Sequence, residues 1–312
     1  MGEWTPFRLA KVPAVLALVL LVASNLVTDR WYFMQAIWWI PRIALVVPAL
    51  LWLAALLAIA RWLRRDQEET RRLGWWTVAA ALLALVQVLR MWGLPAARPS
   101  EALRIVHWNP SYPSGDAIRG AVEKLAALDA DIYLFTDAGP DVLRESSQLL
   151  VPKGYMIEGA GKFSVVSRLT VTEAMPVLAA RNRFVSRFTL ATGSGPLIVE
   201  TIDLPSAPTL PRTLTMRSLR GELAQLRATE PDIMVGDFNI TRGSHSLSLI
   251  ASDYSEAFET NGTGWGATYP RDWPFIGIDL TFLRAPWYPL RSEIVDPGAG
   301  RHRAQVVDCV KQ

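Results

Sequence analysis

Three long apolar segments lie within the first hundred residues, and they constrain the fold more than any other feature of the chain. Val12–Val27 and Ile43–Ala60 contain no charged residue, and Trp75–Trp92 contains only Arg90. A helix that crosses a bilayer needs roughly 20 apolar residues, so each segment is long enough if its flanks add a turn. Helices buried in a soluble core are seldom apolar on every face over this length. We therefore predict three transmembrane helices, which form a membrane anchor over residues 1–93.

Charge separates this N-terminal part from the rest of the chain. Residues 1–100 hold 11 basic and 5 acidic residues, a net charge of +6, whereas residues 101–312 hold 21 basic and 24 acidic residues, a net charge of −3. The second part therefore lacks the overall basic surface that is typical of tight nonspecific DNA binding. We expect a linker over residues 94–100 and a second domain over residues 101–312. No obligate protein partner is evident in either part.

The loop between the second and third apolar segments indicates the orientation of the anchor. It carries five arginines in a short stretch, Arg61–Arg72, and Arg8 and Lys11 precede the first segment. Short loops rich in Arg and Lys stay on the cytoplasmic side of a membrane. This pattern predicts a multi-pass protein of the cell membrane with an extracytoplasmic C-terminal domain. A cleaved signal peptide is the alternative interpretation of the first segment, with Arg8 and Lys11 as its basic start and Ala23-Ser24-Asn25 as small residues suited to cleavage.

The domain over residues 101–312 alternates short β-rich runs with helical patterns. Helices are expected over Ala117–Leu128 and Leu210–Ala228. Several strands that are neighbours in sequence could pair antiparallel, which predicts an α+β fold with mixed sheets rather than a purely parallel sheet. The expected strands are Leu103–Trp108, Asp131–Phe135, Phe163–Ser167, Phe184–Ala191, Leu197–Ile202, Ile233–Val235, Ile278–Leu283 and Ala304–Val310.

Polar side chains lie at the ends of several predicted strands. Asn109 and Asp137 follow the first two strands, Asp237 and Asn239 follow a later one, and Asp279 lies within another. A single Asp or Asn at such a place is usually a turn or helix cap. Their repetition over several strands instead indicates a site for a hard cation, because Mg²⁺ prefers oxygen ligands and retains waters for substrate phosphate oxygens. His107 lies on the same strand face as Asn109, where packing is the favoured interpretation.

These motifs resemble, in the same order, those of the endonuclease/exonuclease/phosphatase superfamily, which comprises metal-dependent phosphoesterases. Most of residues 101–312 are covered, and the most specific motif is Gly236-Asp-Phe-Asn239. The other motifs are Leu103-Arg-Ile-Val-His-Trp-Asn109, Asp129-Ala-Asp-Ile-Tyr-Leu-Phe-Thr-Asp137, Phe163-Ser-Val-Val-Ser-Arg168, Thr268-Tyr-Pro with Ile278-Asp-Leu-Thr-Phe282, and Arg301-His-Arg-Ala-Gln-Val-Val307. The resemblance implies a four-layer α/β sandwich with its site at one edge.

The resemblance also implies a role for each matching residue. Asn109 and Asp137 would hold Mg²⁺, with Mn²⁺ as an alternative. Asp237 would orient or deprotonate the attacking water, and Asn239 would position that water or the phosphate. His302 would contact the phosphoryl oxygens and would be oriented by Asp279. Such a set suits phosphoryl transfer, which needs in-line positioning of water and neutralisation of the phosphoryl oxygens.

Three positions depart from the family pattern. Asp137 stands where the family usually has Glu, Asp203 where many relatives have His, and Arg301 where an acid usually precedes the final His. Asp203 and Arg301 are therefore expected to serve substrate binding. The leading hypothesis is a membrane-anchored, metal-dependent phosphoesterase whose substrate is a phospholipid or another phosphoester, nucleic acid included. The alternative is a catalytically impaired member that acts as a binding or interaction module.

Overall fold

A computed structural model describes residues 9–63, 66–94, 96–97, 99, 102–113, 115–227 and 229–312. Arg8, Arg64 and Arg65, which contribute to the predicted orientation of the anchor, lie outside the described residues, as do parts of the predicted linker. The chain divides into two compact units. One contains the described residues up to Met91 together with Pro211–Thr213, and the other contains Trp92–Leu210 and Leu214–Gln312.

The first unit contains the apolar helices α1 (Val12–Val27), α2 (Tyr32–Trp39), α3 (Arg42–Trp62) and α4 (Gln67–Met91). By length and composition, α3 and α4 are the two described helices that could each cross a membrane, and α1 with α2 would add a third span only if that pair, bent by 117°, counts as one. The predicted apolar segments are thus helical. Their crossing of a membrane stays a prediction.

The second unit begins with the two-residue strand β1, which pairs with β11, so Trp92 and Gly93 belong to this unit. Its longer helices are α5 (Ala117–Ala126), α6 (Gly139–Leu150) and α7 (Arg212–Leu226), the last of which belongs to this unit from Leu214 onward. Its short helices are α8 (Ser248–Ala251) and α9 (Ala257–Asn261). Its strands are β1 (Trp92–Gly93), β2 (Leu103–Trp108), β3 (Ile132–Thr136), β4 (Met156–Ala160), β5 (Phe163–Ser167), β6 (Val171–Ala180), β7 (Arg183–Thr192), β8 (Gly195–Asp203), β9 (Ile233–Asp237), β10 (Tyr254–Glu256), β11 (Gly262–Trp265), β12 (Asp279–Arg284), β13 (Trp287–Val295) and β14 (Ala304–Lys311).

The strands of the described residues form two mixed sheets. The first has eight strands in the order β1-β11-β13-β14-β2-β3-β5-β4, and the second has six in the order β10-β12-β9-β8-β7-β6. Parallel pairs are β11 with β13 and β2 with β3 in the first sheet, and β8 with β9 in the second. The other pairs are antiparallel, which confirms the prediction of an α+β fold with mixed sheets.

Side-chain alternation along the strands builds the layers. In β2, Ile105 joins a buried cluster that contains residues of both sheets, whereas Val106 and Trp108 join a cluster with α5 and α6. In β9, Val235 lies in the cluster between the sheets, whereas Met234 packs with α7. Successive side chains of a strand point to opposite faces, so each sheet contributes to two apolar interfaces. The result is helix, sheet, sheet and helix, as in the implied four-layer sandwich.

The predicted strands are all present, with ends that shift by one or two residues. The prediction of helix α7 is wrong at both ends, because Leu210 and Pro211 precede the helix and Leu226 ends it. The elements that were not predicted are helices α6, α8 and α9 and strands β1, β4, β6, β10, β11 and β13. Strand β6 is half-exposed along its length and contains Pro176, and β13 contains Pro289, so neither shows a clear apolar pattern.

Candidate active site

The candidate site lies where the inward-facing rows of several strands change from apolar to polar. Along β9 the row runs Ile233, Val235 and then Asp237, and the first two belong to the core between the sheets. The corresponding row of β12 runs from Leu283 in the core to Asp279 at the other end of the strand. Because the side-chain period is two, a polar residue that continues such a row stays between the sheets. The fold therefore delivers these carboxylates into a buried space at the end of the core.

Three aspartates share one register across the second sheet. Asp203 of β8 is paired with Asp237 of β9, which is in turn paired with Asp279 of β12. All three are buried. Directly opposed residues of neighbouring strands have Cβ atoms only about 5 Å apart, so the row concentrates negative charge and requires cationic or hydrogen-bonding neighbours.

His302 supplies one such neighbour. Its Nδ1 lies 2.9 Å from Asp279 Oδ2, and its Nε2 lies 3.8 Å from Asp237 Oδ2. Trp108 holds the backbone of His302 by donating its indole N–H to the carbonyl over 3.1 Å. Tyr269 packs against the imidazole at a centroid distance of 4.8 Å. The imidazole is thus fixed between two carboxylates.

These neighbours determine the protonation of the three groups. Burial lowers the pKa of His302, but the charges of Asp279 and Asp237 and the hydrogen bond to Asp279 raise it by more, to about 9. Burial and the nearby Asp279 raise the pKa of Asp237. Burial opposes ionisation of Asp279, yet the charge and hydrogen bond of His302 hold its pKa below the ordinary value. At neutral pH the pair is therefore Asp279 carboxylate with His302 imidazolium.

The two predicted asparagines both contact the Asp237 region. Asn109 donates its side-chain amide to Asp237 Oδ2 over 2.9 Å, and its Oδ1 accepts hydrogen bonds from the backbone and hydroxyl of Ser111. The backbone N–H of Asn239 donates to Asp237 Oδ1 over 2.9 Å, and its side chain donates to the carbonyl of Leu204 over 2.7 Å. Asp237 is thus oriented on both oxygens.

Asp137 lies beside a lysine that sequence reasoning did not identify as part of the site. Lys162 Nζ is 2.9 Å from Asp137 Oδ2 and 2.5 Å from Asp203 Oδ2. The backbone N–H of Asp137 also donates to the carbonyl of Lys162. Tyr112 forms a side-chain hydrogen bond with Asp137, and this bond with burial raises the pKa of the Tyr112 phenol. Asp137 and Asp203 are therefore joined through one ammonium group.

Arg301 is exposed and does not pair with these aspartates through the contacts that the structure describes. Its guanidinium donates to the Tyr269 hydroxyl over 3.1 Å and lies 5.9 Å from the centroid of the same ring. Its charge acts to lower the pKa of the adjacent His302, against the larger effect of the carboxylates. Arg301 is thus the exposed cation beside the buried imidazole.

Two further residues, Lys162 and Thr268, belong to the site. Lys162 directly precedes β5, and the first residue of that strand, Phe163, is paired with Thr136, so Lys162 falls opposite Asp137. Thr268 belongs to a family motif, and its hydroxyl accepts from the backbone N–H groups of Ile278 and Asp279. His107 is buried as expected for a packing residue, although its Nδ1 is 3.9 Å from Asp279 Oδ1 and burial lowers its pKa to about 4.

Asp237, Asp279 and His302 have the dimensions of a metal site. Each offers one ligand atom, and these atoms lie within 4.8 Å of one another. The predicted metal ligands Asn109 and Asp137 are placed differently, since the first is hydrogen-bonded to Asp237 and the second to Lys162. The structure thus offers one cluster of carboxylate and imidazole donors, together with a second pair of carboxylates that already shares a cation.

Comparison with solved structures shows that other proteins share this fold. D. rerio TDP2 complexed with single strand DNA product is 15% identical, covers 68% of this chain and 100% of its own, and gives a TM-score of 0.54. The mannosyl-6-phosphatase of Bacteroides thetaiotaomicron is 16% identical, covers 67% of this chain and 100% of its own, and gives a TM-score of 0.55. A functionally unknown conserved protein from Enterococcus faecalis gives a TM-score of 0.53 at 13% identity, with 67% and 100% covered.

Sequence comparison assigns the family. No protein among the curated sequences matches this chain. The profile of the Endonuclease/Exonuclease/phosphatase family matches residues 48–304, which is most of the chain. The match includes every residue of the site described above. The chain therefore belongs to the endonuclease/exonuclease/phosphatase family.

Proposed function

We propose that this protein hydrolyses a phosphoester bond by in-line attack of water. The observation that carries the proposal is the buried imidazole of His302, held by Asp279 at 2.9 Å with its other nitrogen facing Asp237 at 3.8 Å. This arrangement places a cation next to a candidate base in a partly water-excluded site. A positive charge stabilises negatively charged phosphoryl oxygens more strongly there than in water, because the local dielectric is low.

Each residue of the proposed site then has a role. Asp237, held on both oxygens by Asn109 and Asn239, orients or deprotonates the attacking water. Asn239 also positions that water or the phosphate. The imidazolium of His302 binds a phosphoryl oxygen, and Asp279 keeps it oriented and charged. These are the positioning and electrostatic contributions on which phosphoryl transfer depends.

The exposed guanidinium of Arg301 extends the cationic surface beyond His302. We assign it to binding of a second phosphate oxygen or a neighbouring anionic group of the substrate, because a guanidinium fork matches such oxygens. Asp203 lies in the same row of aspartates and contacts Lys162. We assign it to substrate binding through this lysine.

A divalent cation, Mg²⁺ or Mn²⁺, completes the proposal. Asn109 and Asp137 do not fit as its ligands in this structure. Asp137 Oδ1 has no hydrogen-bond partner among the described residues, but the Lys162 ammonium beside Oδ2 repels a second cation there, and Oδ1 of Asn109 accepts from Ser111. Asp237 and Asp279 fit by donor type and by their closeness in the cluster with His302. His302 keeps its Nε2 proton for the phosphoryl oxygen and is therefore not one of the metal ligands. When bound, the metal supplies Lewis-acid charge to the phosphoryl oxygens.

The location and substrate are also part of the proposal. The apolar helices α3 and α4 support attachment to a membrane, and the arginine-rich loop between them supports a catalytic domain outside the cytoplasm. TDP2 was solved with a DNA product and another neighbour is a mannosyl-6-phosphatase, so phosphodiesters and phosphomonoesters are both candidate classes. For a membrane-attached domain of net charge −3, we favour a phosphoester of the cell envelope, such as a phospholipid.

The activity is tested with the full chain in detergent, using bis(p-nitrophenyl) phosphate and p-nitrophenyl phosphate with Mg²⁺ or Mn²⁺. Hydrolysis of either that is removed by EDTA and by both Asn239→Ala and His302→Ala supports the proposal. Hydrolysis that survives both substitutions contradicts the assigned site, and hydrolysis that survives EDTA contradicts the metal requirement.

The second candidate function is a binding module without hydrolysis. It is favoured by one observation, the pairing of Lys162 with Asp137 at the position where the family pattern implies a metal. Inorganic phosphate binding by calorimetry, together with no hydrolysis of either nitrophenyl ester, would favour this module over the enzyme.

A further inference from the structure

Lys162 is built into the space between the two sheets, at the carboxyl end of β3 and β8. It precedes the first residue of β5 in the first sheet, whereas Asp203 ends β8 in the second. Its ammonium reaches Asp137 at 2.9 Å and Asp203 at 2.5 Å, and it lies 4.5 Å from the centroid of Phe184. The side-chain exposures are 25% for Lys162, 14% for Asp137 and 11% for Asp203. This is a largely desolvated three-group cluster, not a surface ion pair.

The charges of the cluster make it a substitute for a metal site. Two carboxylates that share one buried position attract a cation strongly, and they would bind a divalent ion if nothing else neutralised them. A lysine ammonium is a compact point charge with three donors, so it can pair with one oxygen of each carboxylate at once. Burial alone lowers the pKa of Lys162, but its hydrogen bonds to Asp203 and Asp137 raise it above the ordinary value, which keeps the group charged.

The backbone holds this lysine in place independently of the ion pairs. The N–H of Asp137 donates to the carbonyl of Lys162 over 3.1 Å. Phe163 is paired with Thr136 at the end of the antiparallel β3–β5 ladder. The residues just beyond this pair, Lys162 and Asp137, therefore lie opposite each other as well. The ammonium is thus a fixed component of the site and cannot be replaced by a metal without breaking two desolvated ion pairs.

We propose that Lys162 is a permanent internal cation that occupies the position of a metal at Asp137 and Asp203, so that divalent ions bind only elsewhere in the site. The proposal rests on the proposed function and deepens it, because it identifies the Lys162 ammonium as a positive charge of the phosphate-binding site that the protein itself supplies. Lys162 acts there as a positioning residue. It holds the side chains of Asp137 and Asp203 in place, and it supplies positive charge there without a bound metal.

The test measures Mn²⁺ binding by electron paramagnetic resonance on the full chain in detergent, without substrate. In Lys162→Met, which keeps most of the stem and removes the charge, we expect a new Mn²⁺ site that is about ten- to a hundredfold tighter than any binding at Asp137 in the unmodified chain. Lys162→Met combined with Asp137→Asn should lose that site. Lys153→Met, at an exposed lysine of the second unit, is the matched control and should bind Mn²⁺ like the unmodified chain.

A second comparison does not depend on the folding of the Lys162 variants. In the unmodified background, Asp137→Asn should leave Mn²⁺ affinity unchanged, since Lys162 and not a metal is its partner. Lost Mn²⁺ binding in this variant would overturn the proposal, as would a folded Lys162→Met protein, shown by circular dichroism, that gains no Mn²⁺ site. A purely structural salt bridge predicts lower thermal stability without a gain of metal. Because neither Mn²⁺ binding nor circular dichroism depends on catalytic turnover, a failed hydrolysis assay would contradict the proposed function alone.

Discussion

His302 and Asp279 form a buried charge pair, with Nδ1 of the imidazole 2.9 Å from Oδ2 of the carboxylate. His302 lies just before β14 of the first sheet, and Asp279 is the first residue of β12 in the second sheet. Their pairing therefore depends on how the two sheets pack against each other. Three predictions concern the chemistry of this region, one concerns backbone geometry, and one concerns the membrane.

The first prediction concerns the protonation of His302. The chain has three histidines, so their imidazole signals can be followed by NMR on the labelled full chain. We expect one signal to titrate near pH 9, because Asp279 and Asp237 raise the pKa of His302, and one near pH 4, because burial lowers the pKa of His107. Asp279→Asn should move the upper titration to lower pH. An unmoved upper titration in this variant would contradict the assigned pair.

The second prediction is the effect of the same pair on stability. The folded-state pKa of His302, about 9, lies above the ordinary histidine pKa of 6.5. Its contribution to stability is therefore fully present below about pH 6.5 and is lost as pH rises through 9. Thermal melts from pH 6 to pH 10 should show a falling Tm over this window. His302→Gln should flatten that fall, whereas a parallel decline in both proteins would contradict the assignment.

The third prediction concerns Asp237 as the base of the proposed reaction. Asp237→Asn keeps the shape of the side chain and removes its basicity, so hydrolysis of bis(p-nitrophenyl) phosphate should fall by about 10²–10⁴-fold. Burial and Asp279 raise the pKa of Asp237, so the rate for the unmodified chain should rise with pH as this carboxyl loses its proton. Asp253→Asn, at an exposed position outside the described carboxylate row, is the control and should retain the rate.

The fourth prediction concerns Gly236, the residue before Asp237. Its φ is +153°, and a Cβ built there would lie 1.9 Å from the carbonyl oxygen of Ile202. This atom belongs to the backbone of a central strand and cannot move aside. Gly236→Ala should therefore cost at least about 1–3 kcal/mol of unfolding free energy, measured by urea denaturation. Gly221→Ala, where nothing lies within 4 Å of the added Cβ, should cost nothing measurable.

The fifth prediction tests the membrane anchor. The full chain should remain in the membrane fraction after alkaline carbonate extraction, because α3 and α4 are long and apolar enough to span a bilayer. A periplasmic-type reporter fused after Gln312 should be active, and a reporter that works only in the cytoplasm should not. The reverse pattern would contradict the predicted orientation without affecting the assignment of the family.

The strand ends of the site could be predicted from the sequence because alternation and burial fix which residues face the core. Asp237 and Asp279 follow or begin unmistakably apolar strands, and both lie in the site. Lys162 was missed because its importance depends on the pairing of β5 with β3, a long-range register that no local pattern shows. Strand β13 was missed because Pro289 and alternating exposure weaken its apolar signal.

The hydrogen-bond partners of individual side chains could not be predicted from the sequence either. The motif implied Asn109 as a metal ligand, but its side-chain nitrogen donates to Asp237 and its side-chain oxygen accepts from Ser111. Arg301 directly precedes His302 in the chain, yet its contact with Tyr269 depends on how the loop before β12 returns to the site. Its expected role in substrate binding stays a prediction. Such contacts are set by the meeting of segments far apart in sequence, which residue spacing does not encode.

The shared register of Asp203, Asp237 and Asp279 has a consequence for how this protein can change over time. Because side chains alternate between faces, one residue inserted or deleted between Ile233 and Asp237 would turn the carboxylate toward helix α7 and bring an apolar side chain into its place. A substitution in these strands changes one side chain and keeps the register, whereas a change of length shifts every residue that follows. We therefore expect relatives of this protein to carry their insertions in the connecting loops and to keep the lengths of β8, β9 and β12.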